Sequence, residues 1–236
     1  MKIILNNKDL IKKLNQIKDL GFVPTMGAIH DGHISLIKKS IKNCNKTLVT
    51  IFINPKQFNK KNDYNKYPKN ISRDLSILKR FNVDFVFIPK KSDVYNYKRS
   101  KKIMLNKKDL ILCAKHRKGH FEGVLDVMDR LTKIINPQKI FMGEKDFQQL
   151  YLVKKLLEKK YKTKVIPCKT IRDKNNIALS SRNFLLNKSN LNVAKNIYKK
   201  LVRIKKNINK KNNISDFLNF QKNKLKNIYQ IEIDYL

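Results

Sequence analysis

Pro24-Thr25-Met26-Gly27-Ala28-Ile29-His30-Asp31-Gly32-His33 lies between the apolar run Gly21-Phe22-Val23 and the stretch Ile34-Ser35-Leu36-Ile37, so a strand gives way to a helix across a glycine-punctuated turn. Two histidines three apart flank Gly32 where the helix begins. Glycines remove side chains where backbone must approach a bulky anion, and the free N–H groups of a helix start attract negative charge. The pattern predicts a nucleotide-phosphate site at a strand's carboxyl end; the alternative is an ordinary turn with surface histidines.

Strand-length apolar runs recur at 48–53, 85–88, 139–142 and 165–166. Phe121, Val124, Val127, Met128, Leu131, Ile134 and Ile135 keep helical spacing up to Pro137, and Leu150, Val153, Leu156 and Leu157 mark a second helix. Continuous apolar strands alternating with amphipathic helices predict an α/β fold, a parallel sheet covered on both faces, with ligands at the carboxyl ends of the strands. After Arg172 the pattern changes to helices over 188–206 and 214–227. The last seven residues, 230–236, alternate apolar and polar as a half-buried strand would, which makes the second part α+β. The expected domains are therefore 1–171 and 172–236.

The chain of 236 residues is long enough for a sizeable core. Lys and Arg number 54 against 18 Asp and Glu, a formal charge of +36. Lysine far outnumbers arginine and is spread along the whole length beside abundant Asn and Ile, so a solvated basic surface is the reading, with salt-sensitive polyanion binding and no specific nucleic acid. Cys44, Cys113 and Cys168 are scattered and odd in number, which fits a reducing compartment rather than a disulfide framework or zinc site. The N-terminus lacks a signal-peptide h-region and no run approaches a membrane span, so a soluble cytoplasmic protein is expected.

Four further segments fall where strands end or connect. Asn54-Pro55-Lys56-Gln57-Phe58 can point Asn54 and Gln57 into a crevice, where a glutamine would grip a hydroxyl or carboxylate. Arg117-Lys118-Gly119-His120-Phe121-Glu122-Gly123-Val124 places cations and a third histidine at a helix start. Gly143-Glu144-Lys145-Asp146-Phe147-Gln148-Gln149-Leu150 puts Gln149 about one turn from Asp146, itself a candidate N-cap. Leu179-Ser180-Ser181-Arg182-Asn183 offers two hydroxyls and a guanidinium as a phosphate clamp, although serines also cap helices.

In this order these segments resemble the pantoate–β-alanine ligase (pantothenate synthetase) family of the HIGH-type nucleotidyltransferase superfamily, from about Gly21 to Asn183 and more weakly beyond. The resemblance implies a Rossmann-like N-terminal domain binding nucleotide and pantoate, a smaller C-terminal lid, and a homodimer. It also implies ATP-dependent, Mg2+-assisted ligation of (R)-pantoate and β-alanine through pantoyl adenylate, releasing pyrophosphate and AMP. Carried over by position, the ATP contacts are Met26, Gly27, Ala28, Ile29, His30, Asp31, Gly32, His33, Gly143, Glu144, Lys145, Asp146, Ile171, Leu179, Ser180, Ser181 and Arg182. Gln57 and Gln149 match the pantoate-binding glutamines, with Gln57 also meeting β-alanine. His33, His30, Lys145, Ser180, Ser181 and Arg182 carry the catalytic role by stabilising phosphate, and His120 and Arg117 match a segment near the nucleotide. Mg2+ is expected chiefly on ATP oxygens and water, with no metal site of the protein's own and Asp74 an outer contributor. Lys118, Leu179 and Asn176 replace the family's usual proline, methionine and glycine. Members continue past the strand matching 231–236, so the C-terminal domain reads as truncated. The rival readings are another nucleotidyltransferase, a lysine-rich nucleic-acid-binding protein on the same fold, and a weakly active or inactive relic.

Overall fold

The computed structural model describes residues 1–59, 61–98 and 101–236. Two compact units divide the chain, Met1–Ile171 and Arg172–Leu236. In the first, six strands alternate with helices: β1 Lys2–Ile4, α1 Asn7–Leu14, β2 Leu20–Thr25, α2 Asp31–Asn43, β3 Lys46–Ile51, α3 Lys61–Asn65, α4 Ile71–Arg80, β4 Phe85–Phe87, α5 Lys91–Val94, α6 Cys113–His116, α7 His120–Ile135, β5 Lys139–Gly143, α8 Phe147–Lys160 and β6 Lys164–Cys168. The sheet order is β1-β4-β3-β2-β5-β6, with every pair parallel. This is the α/β doubly wound arrangement expected from the apolar runs.

Side chains alternate across the sheet, which is why the strands are apolar throughout. Phe22, Leu48, Phe87, Ile140 and Val165 face α1, α7 and α8, while Val23, Val49, Val86 and Phe141 face α2 and α4. Pro137 stops α7, whose C-cap Asn136 has φ 50, as the proline position predicts.

The chain runs from β2 outward to β3 and β4, then returns to place β5 on the other side of β2, so the topological switch lies between β2 and β5. Pro24 helps open it. The carbonyl of Leu20 accepts from Gln138 N–H, so even-numbered residues of β2 turn toward β5; yet the β2–β5 ladder ends at Phe22 while pairing with β3 continues to Thr25. A residue without an N–H sits where no ladder bond is needed, and the two strands part there.

The second unit holds α9 Lys188–Ile208 and α10 Ile214–Tyr229, each started by an asparagine cap, Asn187 and Asn213. Its loop closes through an antiparallel bridge between Arg172 and Ala178, with Asp173 Oδ1 accepting from the amides of Asn175 and Ile177. Asn176 has φ 65, so the exchange of glycine for asparagine preserves a left-handed residue. The expected strand over 230–236 is a correction. Gln230 takes φ 50 as the C-cap of α10 and turns the tail back along that helix, where Lys222 donates to the Asp234 carbonyl and Lys226 pairs with Glu232. Alternation supplies a face, but a strand needs a neighbouring strand, and none lies beside the tail among the described residues. Among those residues no helix is long and apolar enough to cross a membrane.

Candidate active site

The turn after β2 is built from unusual backbone. Gly27 has φ +80 and Ala28 φ 50, the latter costing roughly 1–2 kcal/mol for a residue with a Cβ. The strain is held by three acceptors. Gly27 N–H donates to Thr25 Oγ1 at 3.1 Å, while Ala28 and Ile29 N–H donate to Asp74 Oδ2 and Oδ1, each at 2.8 Å. A Cβ on Gly27 would stand 2.8 Å from Asp74 Oδ2, so glycine is required for the carboxylate's approach. This corrects the bare backbone cradle at residues 27–29, whose amides already have protein acceptors and are not free donors for a phosphate. Met26, Gly27 and Asp74 also line a cleft of about 300 Å³ with Phe52, Ile53 and Tyr64.

His30 and His33 follow, as N-cap and third residue of α2. His30 Nδ1 accepts from Gly32 N–H at 3.1 Å, and His33 Nδ1 accepts from His30 N–H at 3.4 Å; their ring centroids are 4.1 Å apart. With both Nδ1 atoms accepting, each neutral ring carries its proton on Nε2 and has one donor for a ligand. Burial, then His30 and Lys145, push the pKa of His33 down to about 3; burial and Lys145 also lower that of His30 against the opposing effect of Asp31.

This shift has a sign in stability. Between pH 6.5 and about 3 the unfolded chain binds a proton at residue 33 that the folded chain refuses, so this contribution is complete above 6.5 and is lost as pH falls. Melting temperature should fall between about pH 7.5 and about pH 5, and His33→Gln should flatten that slope. An identical slope in wild type and variant would contradict a buried neutral ring.

Lys145 lies at the carboxyl end of β5, across the switch point, in the 3-10 turn Glu144–Asp146. Its Nζ lies 3.1 and 3.3 Å from the Asp146 carboxylate oxygens. Asp146 stands at the N-cap position of α8 but its side chain makes no cap bond. The two neighbouring glutamines have separate tasks. Gln148 accepts from Ala114 N–H and donates to the carbonyls of Asp109 and Ile111, pinning that segment to α8; half-buried Gln149 makes no side-chain hydrogen bond within the described residues.

The 3-10 turn Pro55–Gln57 after β3 presents Gln57, whose Nε2 donates to Met26 Sδ at 3.0 Å and whose Oε1 accepts from Asn54 Nδ2 at 3.1 Å. Asn54, expected to face the crevice, is instead 1% exposed. It also donates to Gly123 O and accepts from Lys56 N–H and Tyr95 Oη–H, so it shapes the turn rather than meeting a ligand. His120 is corrected likewise: its Nδ1–H reaches the carbonyl of Gln57 at 2.6 Å, and the ring is buried against Phe121. Arg117 caps the carboxyl end of α6 through its amide. A Cβ on Gly123 would fall 2.2 Å from Lys56 O. Gly123→Ala should therefore lower stability by about 1–3 kcal/mol and displace the Gln57 turn, read by thermal denaturation; an unchanged melting curve would contradict this packing.

Ile171 ends the first unit, and Leu179, Ser180, Ser181 and Arg182 belong to the second. Ser180 Oγ caps the 3-10 turn Ser181–Leu185 by accepting from Arg182 N–H at 3.3 Å, the ordinary serine role; Ser181 is buried and Arg182 exposed.

Tyr95 is a contributor that local patterns concealed, and Asp74, expected as an outer contributor to Mg2+, instead spends both oxygens on backbone amides. Asp74 sits in the first turn of a helix capped by Asn70, where an acid reads as a dipole partner.

The sequence model for pantoate-beta-alanine ligase matches residues 2–236. The pantothenate synthetase of Endomicrobium trichonymphae is 41% identical over 244 aligned positions, spanning 100% of this chain and 84% of that protein. That of Flavobacterium psychrophilum is 43% identical over 82% of this chain and 70% of its own. Among solved structures, a pantothenate synthetase from Thermus thermophilus superposes with a TM-score of 0.91 at 29% identity, covering 100% of this chain and 86% of that one. A Francisella tularensis pantoate–β-alanine ligase, complexed with beta-gamma ATP and β-alanine, gives a TM-score of 0.83 at 36% identity over 96% and 85% of the two chains. With a switch-point site of two imidazoles and a lysine, and a family match across nearly every residue, the chain belongs to the pantoate–β-alanine ligases, the pantothenate synthetases.

Proposed function

We propose that the protein joins (R)-pantoate to β-alanine in two steps through pantoyl adenylate. A carboxylate oxygen of pantoate attacks the α-phosphorus of ATP and the bond to pyrophosphate breaks. The neutral amine of β-alanine then attacks the acyl carbon, the carbon–oxygen bond breaks, and AMP leaves with that oxygen while the nitrogen gives up a proton. Neither step demands a strong acid or base at the phosphate; both demand alignment and charge stabilisation.

The observation that carries this reading is the adjacent, mutually tilted pair His30 and His33, each fixed by a backbone amide as an Nε2–H donor at the sheet's switch point beside Lys145. In it, His30, His33 and Lys145 hold the phosphate oxygens as charge moves to the departing pyrophosphate, and Ser180, Ser181 and Arg182 take the remaining oxygens. The nucleotide lies along residues 26–33 and 143–146, Ile171 and residues 179–182. Gln57 and Gln149 grip pantoate, and Gln57 also meets β-alanine. The local donor set is imidazole and ammonium, and both oxygens of Asp74 already accept backbone amides. That chemistry fits Mg2+ entering on the nucleotide's own oxygens with water, where it would neutralise phosphate charge. The same reading makes the first unit the nucleotide and pantoate domain, the second a lid, and the protein a cytoplasmic homodimer.

The test supplies purified chain with ATP, Mg2+, pantoate and β-alanine, and follows pantothenate, AMP and pantoate-dependent exchange of pyrophosphate into ATP without β-alanine. Product and exchange together are expected. Neither signal from a folded protein would overturn the reading.

A further inference from the structure

We propose that Asp74 is a positioning residue for the reaction, a clamp behind the turn 27–29 that sets where the rings of His30 and His33 stand; the inference rests on the adenylation reading above. Asp74 arrives from α4, is 1% exposed, and gives one oxygen to each of two consecutive amides at 2.8 Å. Those amides belong to Ala28 and Ile29, themselves 4% and 0% exposed, so with the carboxylate in place they have no solvent partner. They also sit in a turn with two successive positive-φ residues, which stays in place only while its amides are held.

The next residue is His30, whose N–H supports His33 Nδ1. A shift at Ile29 is therefore transmitted through one peptide to both rings. The Gln57 turn is held chiefly by other partners, namely Asn54, Tyr95, Gly123 and His120, and touches this region only through the weak sulfur acceptor of Met26. Disturbing Asp74 should consequently damage phosphate alignment and spare pantoate recognition.

Asp74→Asn keeps the shape but can accept from one amide only, and turns an NH2 toward the other. The folded variant should lose ~10- to 100-fold in the maximal rate of pantoate-dependent pyrophosphate exchange, the effect of misplacing a group by about 1 Å. Its pantoate KM should move by less than about 2-fold. Nitrogen-15 NMR of the histidine rings should show His30 and His33 leaving the single Nε2–H tautomer. Should that variant not fold, Gly27→Ala retains the carboxylate and pushes the turn off it, with the same two changes expected. A wild-type exchange rate in folded Asp74→Asn, a rise in pantoate KM in place of the rate loss, or unchanged ring signals would each overturn the proposal. Absence of pantoate-dependent exchange in the wild type would instead overturn the adenylation reading, and the ring signals, which need no turnover, would still decide the role of Asp74.

Discussion

His33→Ala is expected to slow pantoate-dependent pyrophosphate exchange by ~10²–10³ while leaving the pantoate KM nearly unchanged, the loss typical of removing one donor from a developing anion. A ring whose pKa is pushed down to about 3 is uncharged in the free protein at neutral pH, so the role proposed for it is a directed hydrogen bond from Nε2. His30 supports that direction, because its own amide occupies His33 Nδ1 and locks the tautomer. Replacing His33 by alanine removes both the donor and an acceptor for that amide. Rate should fall without loss of pantoate affinity, since the glutamines stand on other elements. An unaltered exchange rate, or a pantoate KM that rises in step with the loss, would contradict the assignment.

Gln57→Ala and Gln149→Ala should each raise the pantoate KM by about 10- to 100-fold while ATP saturation stays close to wild type, the expected worth of a hydrogen bond to a charged or desolvated group. The two side chains are prepared differently. Gln57 is oriented by Asn54 and rests its amide on the sulfur of Met26, a weak acceptor that a carboxylate or hydroxyl readily displaces. Gln149 has no competing side-chain partner among the described residues, whereas adjacent Gln148 is committed to the segment 109–114. Steady-state kinetics with pantoate varied at saturating ATP separates the effects. Pantoate saturation unchanged in both variants would reject the pair as its binding groups.

What could be read in advance follows from how far apart the interacting residues are. The strands Leu20–Thr25, Lys46–Ile51 and Lys139–Gly143 announced themselves because a sheet covered on both faces demands uninterrupted apolar residues. The start of α2 was equally legible, since its caps lie within three residues of each other. Asp74 was not. Its partners are 45 and 46 residues away, and nothing local distinguishes it from an acid at a helix start. Asn54, in the loop after β3, and His120, the first residue of α7, misled for the opposite reason, because their buried partners, Gly123 and the Gln57 carbonyl, come from distant segments. The tail misled because alternation records a face and not a neighbour; Gln230 turns it onto α10 instead.

Pantoate labelled with oxygen-18 in its carboxylate tests the central claim most directly. Formation of pantoyl adenylate requires that one labelled oxygen from each turnover leave in the phosphoryl group of AMP, with the other retained in the amide carbonyl of pantothenate. Mass spectrometry of the two products should find that partition. Labelled inorganic phosphate with ADP in place of labelled AMP would mean attack at the γ-phosphorus and an acyl phosphate, and would contradict the account.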